Sequence, residues 1–434
     1  MALPPSVADV LANEARALLT RLRRVRPFAL ITPMVPAAGV SSEAAQAIEH
    51  HLIRGRRELR ARVRGYLRWL KSPQGRAATP AQAGRRFAFL KLQFNAGLTQ
   101  FDIFADALSL RGEVDNGVWL AGLDVAAEEA ISLASRFYDP PPLVTYLDRG
   151  HGAAIRRART RLPGGGENPV AIIRVPRERM VGSGIASSLV HEVGHQGAAL
   201  IKLVDSMRLV LQACQRQTAG DERMAWQLWE RWISEIVADF WSVAKLGVSA
   251  TQGLMQVVSL PRFFVFRIQV DDPHPFPWIR AKLSAAVGGF LYPDPQWQLL
   301  DNIWESFYPR TGLGADRLRI IAALEKTMPD FIRLLVNHRP EALHGAALHQ
   351  VFPIAERQPE RLRALYDAWR RDKSLVRRVA PTLVFAVLGQ AKQDRKITPE
   401  HESDTVAELL RYWALRRALG DLRAAAQAPK ALAA

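Results

Sequence analysis

The sequence predicts an α+β fold that is predominantly α-helical. Apolar residues recur at helical spacing through most of the chain. Only Leu143–Leu147 (LVTYL) and Val170–Val175 (VAIIRV) have the β-branched density of strands. The order strand, strand, then two long helices is that of an α+β unit.

In chain order, residues 7–26 and 43–71 are expected as helices. The second places Ile48, Leu52, Leu59, Val63, Tyr66, Leu67 and Leu70 near one stripe, and most of its remainder is arginine. Ser72-Pro73-Gln74-Gly75 ends it. Helices are expected again over 81–110 and 123–136, before the break at Asp139-Pro140-Pro141-Pro142. Between the strands, 151–160 is expected as a helix and Pro163–Pro169 as a loop. Its Gly164-Gly165-Gly166 lacks the Lys-Ser/Thr and the strand-to-helix setting of a phosphate loop. Met180–Gly184 then leads into a helix over 183–214, and another over 221–246 stops at Gly247. From Arg317 the chain reads as helical, with breaks at Pro329, Pro340, Pro353, Pro381 and Pro399. No repeat of fixed period is present.

Composition bounds the function. The 434 residues are 48% hydrophobic, which excludes global disorder. The one cysteine, Cys214, excludes a disulfide scaffold and a multi-Cys zinc ribbon. Cys214 reads as a buried small hydrophobe. The N-terminus lacks the pattern of a signal peptide, and no stretch is apolar and long enough to span a membrane; a cytoplasmic protein is expected. The net charge of +17 is uneven: +12 over residues 1–100, −2 over 101–310 and +7 over 311–434. Basic ends fit an acidic protein partner, nucleic acid or an anionic surface, or simply a solvated face.

The chemistry-bearing motif is His191-Glu192-Val193-Gly194-His195, an H-E-x-x-H. Two His at i and i+4 share a helix face and can converge on one cation, with Glu192 placed to act as general base. A catalytic zinc takes a third protein ligand and keeps one position open. Glu235 and Asp239, in E-I-V-A-D, also stand at i and i+4 on an apolar helix, where carboxylates need partners. Zinc for Glu235 and the outer nitrogen of a ligand His for Asp239 would supply them. The Trp226, Trp229, Trp232 spacing reads as core packing; His338, His344 and His349 lack a carboxylate pattern, and His151 has no identifiable partner.

H-E-x-x-H followed by E-x-x-x-D resembles the gluzincin metallopeptidases, and the A-D ending resembles their M48 family, which includes HtpX-like and Ste24-like proteases. The resemblance covers about residues 140–285. It implies a zincin-like domain with one Zn2+ held by His191, His195 and Glu235, with Glu192 as catalytic base and Asp239 orienting a ligand His. The segment His274-Pro275 with Arg280 matches the H-P and later Arg of M48 proteins. It places His274 and Arg280 near the site as oxyanion donors, or His274 as a fourth, gating ligand. An extended substrate commonly adds beside an edge strand in this class; Val170, Ala171, Ile172, Ile173, Arg174 and Val175 are the candidate strand. The chain departs from membrane M48 members in lacking flanking transmembrane helices, and from exported ones in lacking a signal peptide.

The expected organisation is a basic helical region at 1–80, a metallopeptidase domain at 81–310 and a basic helical region at 311–434. The expected function is a zinc endopeptidase acting on a protein or peptide. The alternative is a catalytically silent zincin scaffold whose basic ends hold an acidic partner, a multiprotein assembly or, less favoured, nucleic acid.

Overall fold

The computed structural model describes residues 2–28, 32–148, 152–176, 182–269 and 271–427. Helices α1 (Pro5–Arg24), α2 (Ser42–Lys71), α3 (Pro73–Ala77) and α4 (Pro80–Ser109) form an N-terminal layer. Local chemistry starts them well. Ser41 Oγ accepts from the Ala44 N–H at the head of α2, and Thr79 and Gln82 form a capping box at the head of α4. Helix α5 (Val114–Ile131) follows. It lies earlier than the expected 123–136, because the chain beyond Ile131 leaves helical geometry at Ser132.

Strands β1 (Leu143–Asp148), β2 (Ala154–Arg156) and β3 (Ala171–Pro176) form one sheet of order β1-β3-β2. β1 runs parallel to β3, with Val144 opposite Ile172; β2 runs antiparallel to it, with Ile155 opposite Ile173. β3 is thus the central strand, which fits a sequence that is apolar apart from Arg174. Part of the expected 151–160 helix is β2 instead: pairing with β3 overrides the local helical preference of AAIRRAR. His151 lies outside the described residues, as do residues 180 and 181 of the expected connector.

The sheet separates two cores by its alternation. Val144, Val170 and Ile172 join the core of α1, α2 and α4. Leu143, Leu147, Ala171, Ile173 and Val175 join the larger core. That core continues through α6 (Gly184–Leu200), α7 (Leu203–Gln217), α8 (Gly220–Leu246), α9 (Val248–Val258), α10 (Arg262–Val265), α11 (Pro277–Leu291), α12 (Gln296–Phe307) and α13 (Ala315–Asn337). It extends into α14 (Pro359–Arg371), α15 (Pro381–Gln393) and α16 (Pro399–Gln427), as far as Trp413. The expected divisions near 80 and 310 therefore do not coincide with the cores. α4 packs with α2, and the C-terminal helices share the core of the metal-motif helix.

Two further expectations change. The 183–214 helix is two helices: Lys202 takes a left-handed conformation (φ 51°), which turns α7 to pack along α8. Pro329 does not break α13. It sits on the exposed side, while Leu324, Met328, Phe331 and Ile332 bury the other face and hold both halves in line. The tryptophans pack as expected: Trp229 is buried, stacks on Phe331 at 4.8 Å and donates to Thr327. Cys214 is half-buried rather than buried. Among the described residues no helix is long and apolar enough to cross a membrane.

α16 is tied to α5 through charge. Arg417 lies 3.6 Å from both Asp124 and Glu128. Burial pushes the Glu128 carboxyl up to about 7, and Asp124 adds to this against the pull of Arg417. A carboxyl raised in the folded state binds its proton more tightly there than in the unfolded chain. Stability should therefore fall as pH rises from about 4.5 to about 7 and then level off. Glu128→Gln should flatten that decline in urea melts across this window; an unchanged slope would locate the titration elsewhere.

Candidate metal centre

The site is built where α6 crosses α8. Two glycines of α6 permit the crossing. A Cβ on Gly194 would meet Trp241 Cβ at 2.9 Å and Ala238 Cα at 3.0 Å. One on Gly197 would meet the Trp241 ring at 2.4 Å. Gly197→Ala should overpack the crossing and lower stability by about 1–3 kcal/mol. An unshifted urea midpoint would show that the helices part freely.

This close approach brings His191 and His195 of α6 against Glu235 and Asp239 of α8. The ligand atoms of His191, His195 and Glu235 all lie within 4.8 Å of one another, so this group could hold a metal ion. His191 Nε2 is 3.3 Å from Glu235 Oε2, and His195 Nε2 is 3.5 Å from Glu235 Oε1. His191 Nδ1 is 2.8 Å from Asp239 Oδ1, off the line of a good hydrogen bond. The donor set fits zinc: two imidazole nitrogens and one carboxylate facing one point, with a carboxylate behind one ring.

Protonation follows the same geometry. Burial disfavours charge on His191, yet Asp239 and Glu235 outweigh it and hold the ring up at about 9. Burial and the charge on His191 push His195 down to about 4. Burial alone would raise Glu235, but the bond to His191 and the surrounding cations bring it down to about 2. His191 would have to give up its proton to hold a cation, whereas His195 is already neutral and Glu235 already ionised near neutral pH. Burial pushes the Glu192 carboxyl up.

Arg280, from α11, is buried against the carboxylates. Its Nε is 2.7 Å and its Nη2 2.9 Å from the two oxygens of Asp239, and Nη2 is 3.5 Å from Glu235 Oε2. Such a fork locks Asp239 in place. Arg280 lines the cleft, but its bonds make it a positioning residue. His274 Nε2 lies 3.3 Å from Glu235 Oε2, and its Nδ1 lies 2.8 Å from Asp272. Its side chain is 50% exposed and stands beside the three-residue group.

A cavity of about 170 Å³ opens on these residues. Glu192, His274 and Arg280 line it together with Gly152, Ala153, Ser187, Leu254 and Val257. Leu254 and Val257, which come from α9, carry no motif that marks them in the sequence. Ser187 stands one turn before His191 and was findable by its spacing. So was Asp272, two residues before His274. The expected substrate strand is corrected. Val170 and Ala171–Val175 belong to or adjoin the central strand, paired on both sides, and all but Arg174 are buried. β1 and β2 are the edge strands of this sheet, and the Gly152-Ala153 segment leading into β2 reaches the cavity.

Compared with models of protein families, with curated proteins and with solved structures, the chain matches none. The site therefore rests on its own geometry. Away from the site, His338 bonds Ser206, and His349 Nδ1 lies 3.0 Å from the Val336 carbonyl.

Proposed function

We propose that the chain is a zinc-dependent endopeptidase of gluzincin type with an M48-like core. The observation that carries this reading is the convergence of His191, His195 and Glu235 beside a cleft that His191, Glu192 and Glu235 line. Three protein ligands beside a cleft would suit a catalytic zinc, which keeps a position for water, better than a structural one. When bound, zinc supplies Lewis acidity and lowers the pKa of water toward neutrality.

The chain's own residues do the rest. Glu192 takes the proton of the attacking water and delivers it to the leaving nitrogen; its raised pKa suits both tasks. Asp239 orients His191, and Arg280 holds Asp239. With Arg280 so committed, His274 is the donor for the developing oxyanion, its outer nitrogen toward the site and its inner one held by Asp272. An extended peptide adds along the free edge of β2, where Gly152 and Ala153 meet the cavity.

Purified protein should contain about one zinc per chain, and Glu235→Ala should lose it while keeping a folded spectrum. A metal content well below one per chain would sink the reading. Full metal content without cleavage of any unfolded protein offered would favour the silent scaffold.

A further inference from the structure

Helix α2 carries a feature that the metal site does not use. Along Arg54–Lys71, the residues Arg54, Arg57, Arg60, Arg64, Arg68 and Lys71 fall within about 120° of one another at 100° per residue. All six are exposed. None forms an ion pair with another described residue. The opposite side of the helix holds Leu59, Val63, Tyr66 and Leu70, all buried in the N-terminal core. The result is a row of exposed cations roughly 27 Å long, at 1.5 Å per residue, with no ion pair among the described residues.

We propose that this face binds the phosphate backbone of duplex DNA. The charge is complementary, and its spacing is linear. One strand presents a phosphate every 3.4 Å or so of axis, so about eight base pairs run alongside the row. Insertion into a lipid surface needs an apolar face directed outward, and α2 spends its apolar face on the core. Single-strand binding needs aromatic side chains for bases to stack on, and the row has none. Arginines that reach only phosphates position a duplex without reading its sequence. α2 packs in the core on one face of the sheet, and α6 packs in the core on the other. The duplex is thus held away from the metal cleft, as a tether and not as a substrate.

The test is fluorescence anisotropy of the full chain with a labelled mixed-sequence duplex of about 20 base pairs, long enough to outspan the row. Binding should weaken with salt, with a log–log slope of about −5 if all six cations pair with phosphates. The combined variant Arg57→Ala, Arg60→Ala, Arg64→Ala, Arg68→Ala should reduce the slope to about −2 and weaken binding at least about tenfold. These side chains are exposed, so circular dichroism should match the parent. Replacing Arg370, Arg371 and Lys373 of the C-terminal region by Ala should leave binding unchanged. No binding at low salt, or an unchanged slope in the α2 variant, would overturn the proposal. So would tighter binding to phosphatidylserine vesicles or to poly-glutamate than to the duplex.

Discussion

Glu192→Gln is expected to keep zinc and to lower peptide cleavage by about 10²–10⁴-fold, the usual contribution of a positioned general base. Gln has the shape of Glu and can still hydrogen-bond, but it cannot accept the proton. The ligand atoms belong to His191, His195 and Glu235, so the substitution removes none of them. Because burial raises the Glu192 carboxyl, a neutral amide there should cost no stability. The measurement is a pair: metal content, and turnover of an unfolded protein substrate. Retained zinc with retained turnover would place the base elsewhere in the cleft. Loss of both would show that Glu192 holds the site together rather than moving a proton.

Arg280→Met should destabilise the metal-free protein by about 3–5 kcal/mol, because it leaves the buried carboxylate of Asp239 without its fork. The side chains of Arg280 and Asp239 are 10% and 14% exposed, so water cannot replace the lost partner fully. Burial alone would raise the Asp239 carboxyl, but Arg280 and His191 hold it well below its usual range. A carboxylate depressed in the folded state adds stability at neutral pH that disappears as pH falls through the acid range. The parent should lose stability on acidification below about 4.5, in the range where Glu235 and Asp239 take up protons. In Arg280→Met that loss should be smaller, because part of it has already been taken. Arg280→Lys should recover only some stability, since one ammonium cannot grip both oxygens. Unfolding curves that superimpose on the parent would mean that Asp239 is protonated or hydrated and that Arg280 does not position it.

Much of the site was legible because helical spacing is local. His191 with His195, and Glu235 with Asp239, are each one turn apart, and one turn of helix fixes which side chains share a face. The pairing of the two helices was not legible in the same way. It depends on Gly194 and Gly197 admitting Trp241 and Ala238, a fit between residues about forty positions apart. The partners of Arg280 were not legible for the same reason. The M48 resemblance implied a place near the site for this residue, but its two bonds to Asp239 appear only in the tertiary structure.

The strands show the same division. β-branched runs identified Leu143–Asp148 and Ala171–Pro176, because side-chain branching near the backbone is a local property. Nothing local marked Ala154–Arg156 as a strand. It becomes one by pairing with β3, and that pairing puts β3 inside the sheet and β2 at an edge. The charge divides likewise. The sequence alone determined that the ends are basic and that a two-His, two-carboxylate motif lies between them. Only the tertiary structure decided that the C-terminal helices share the core of α6 and that six cations of α2 stand exposed, without an ion pair among the described residues. Composition and helical periodicity act over a few residues. Which surfaces remain open depends on what every other element buries.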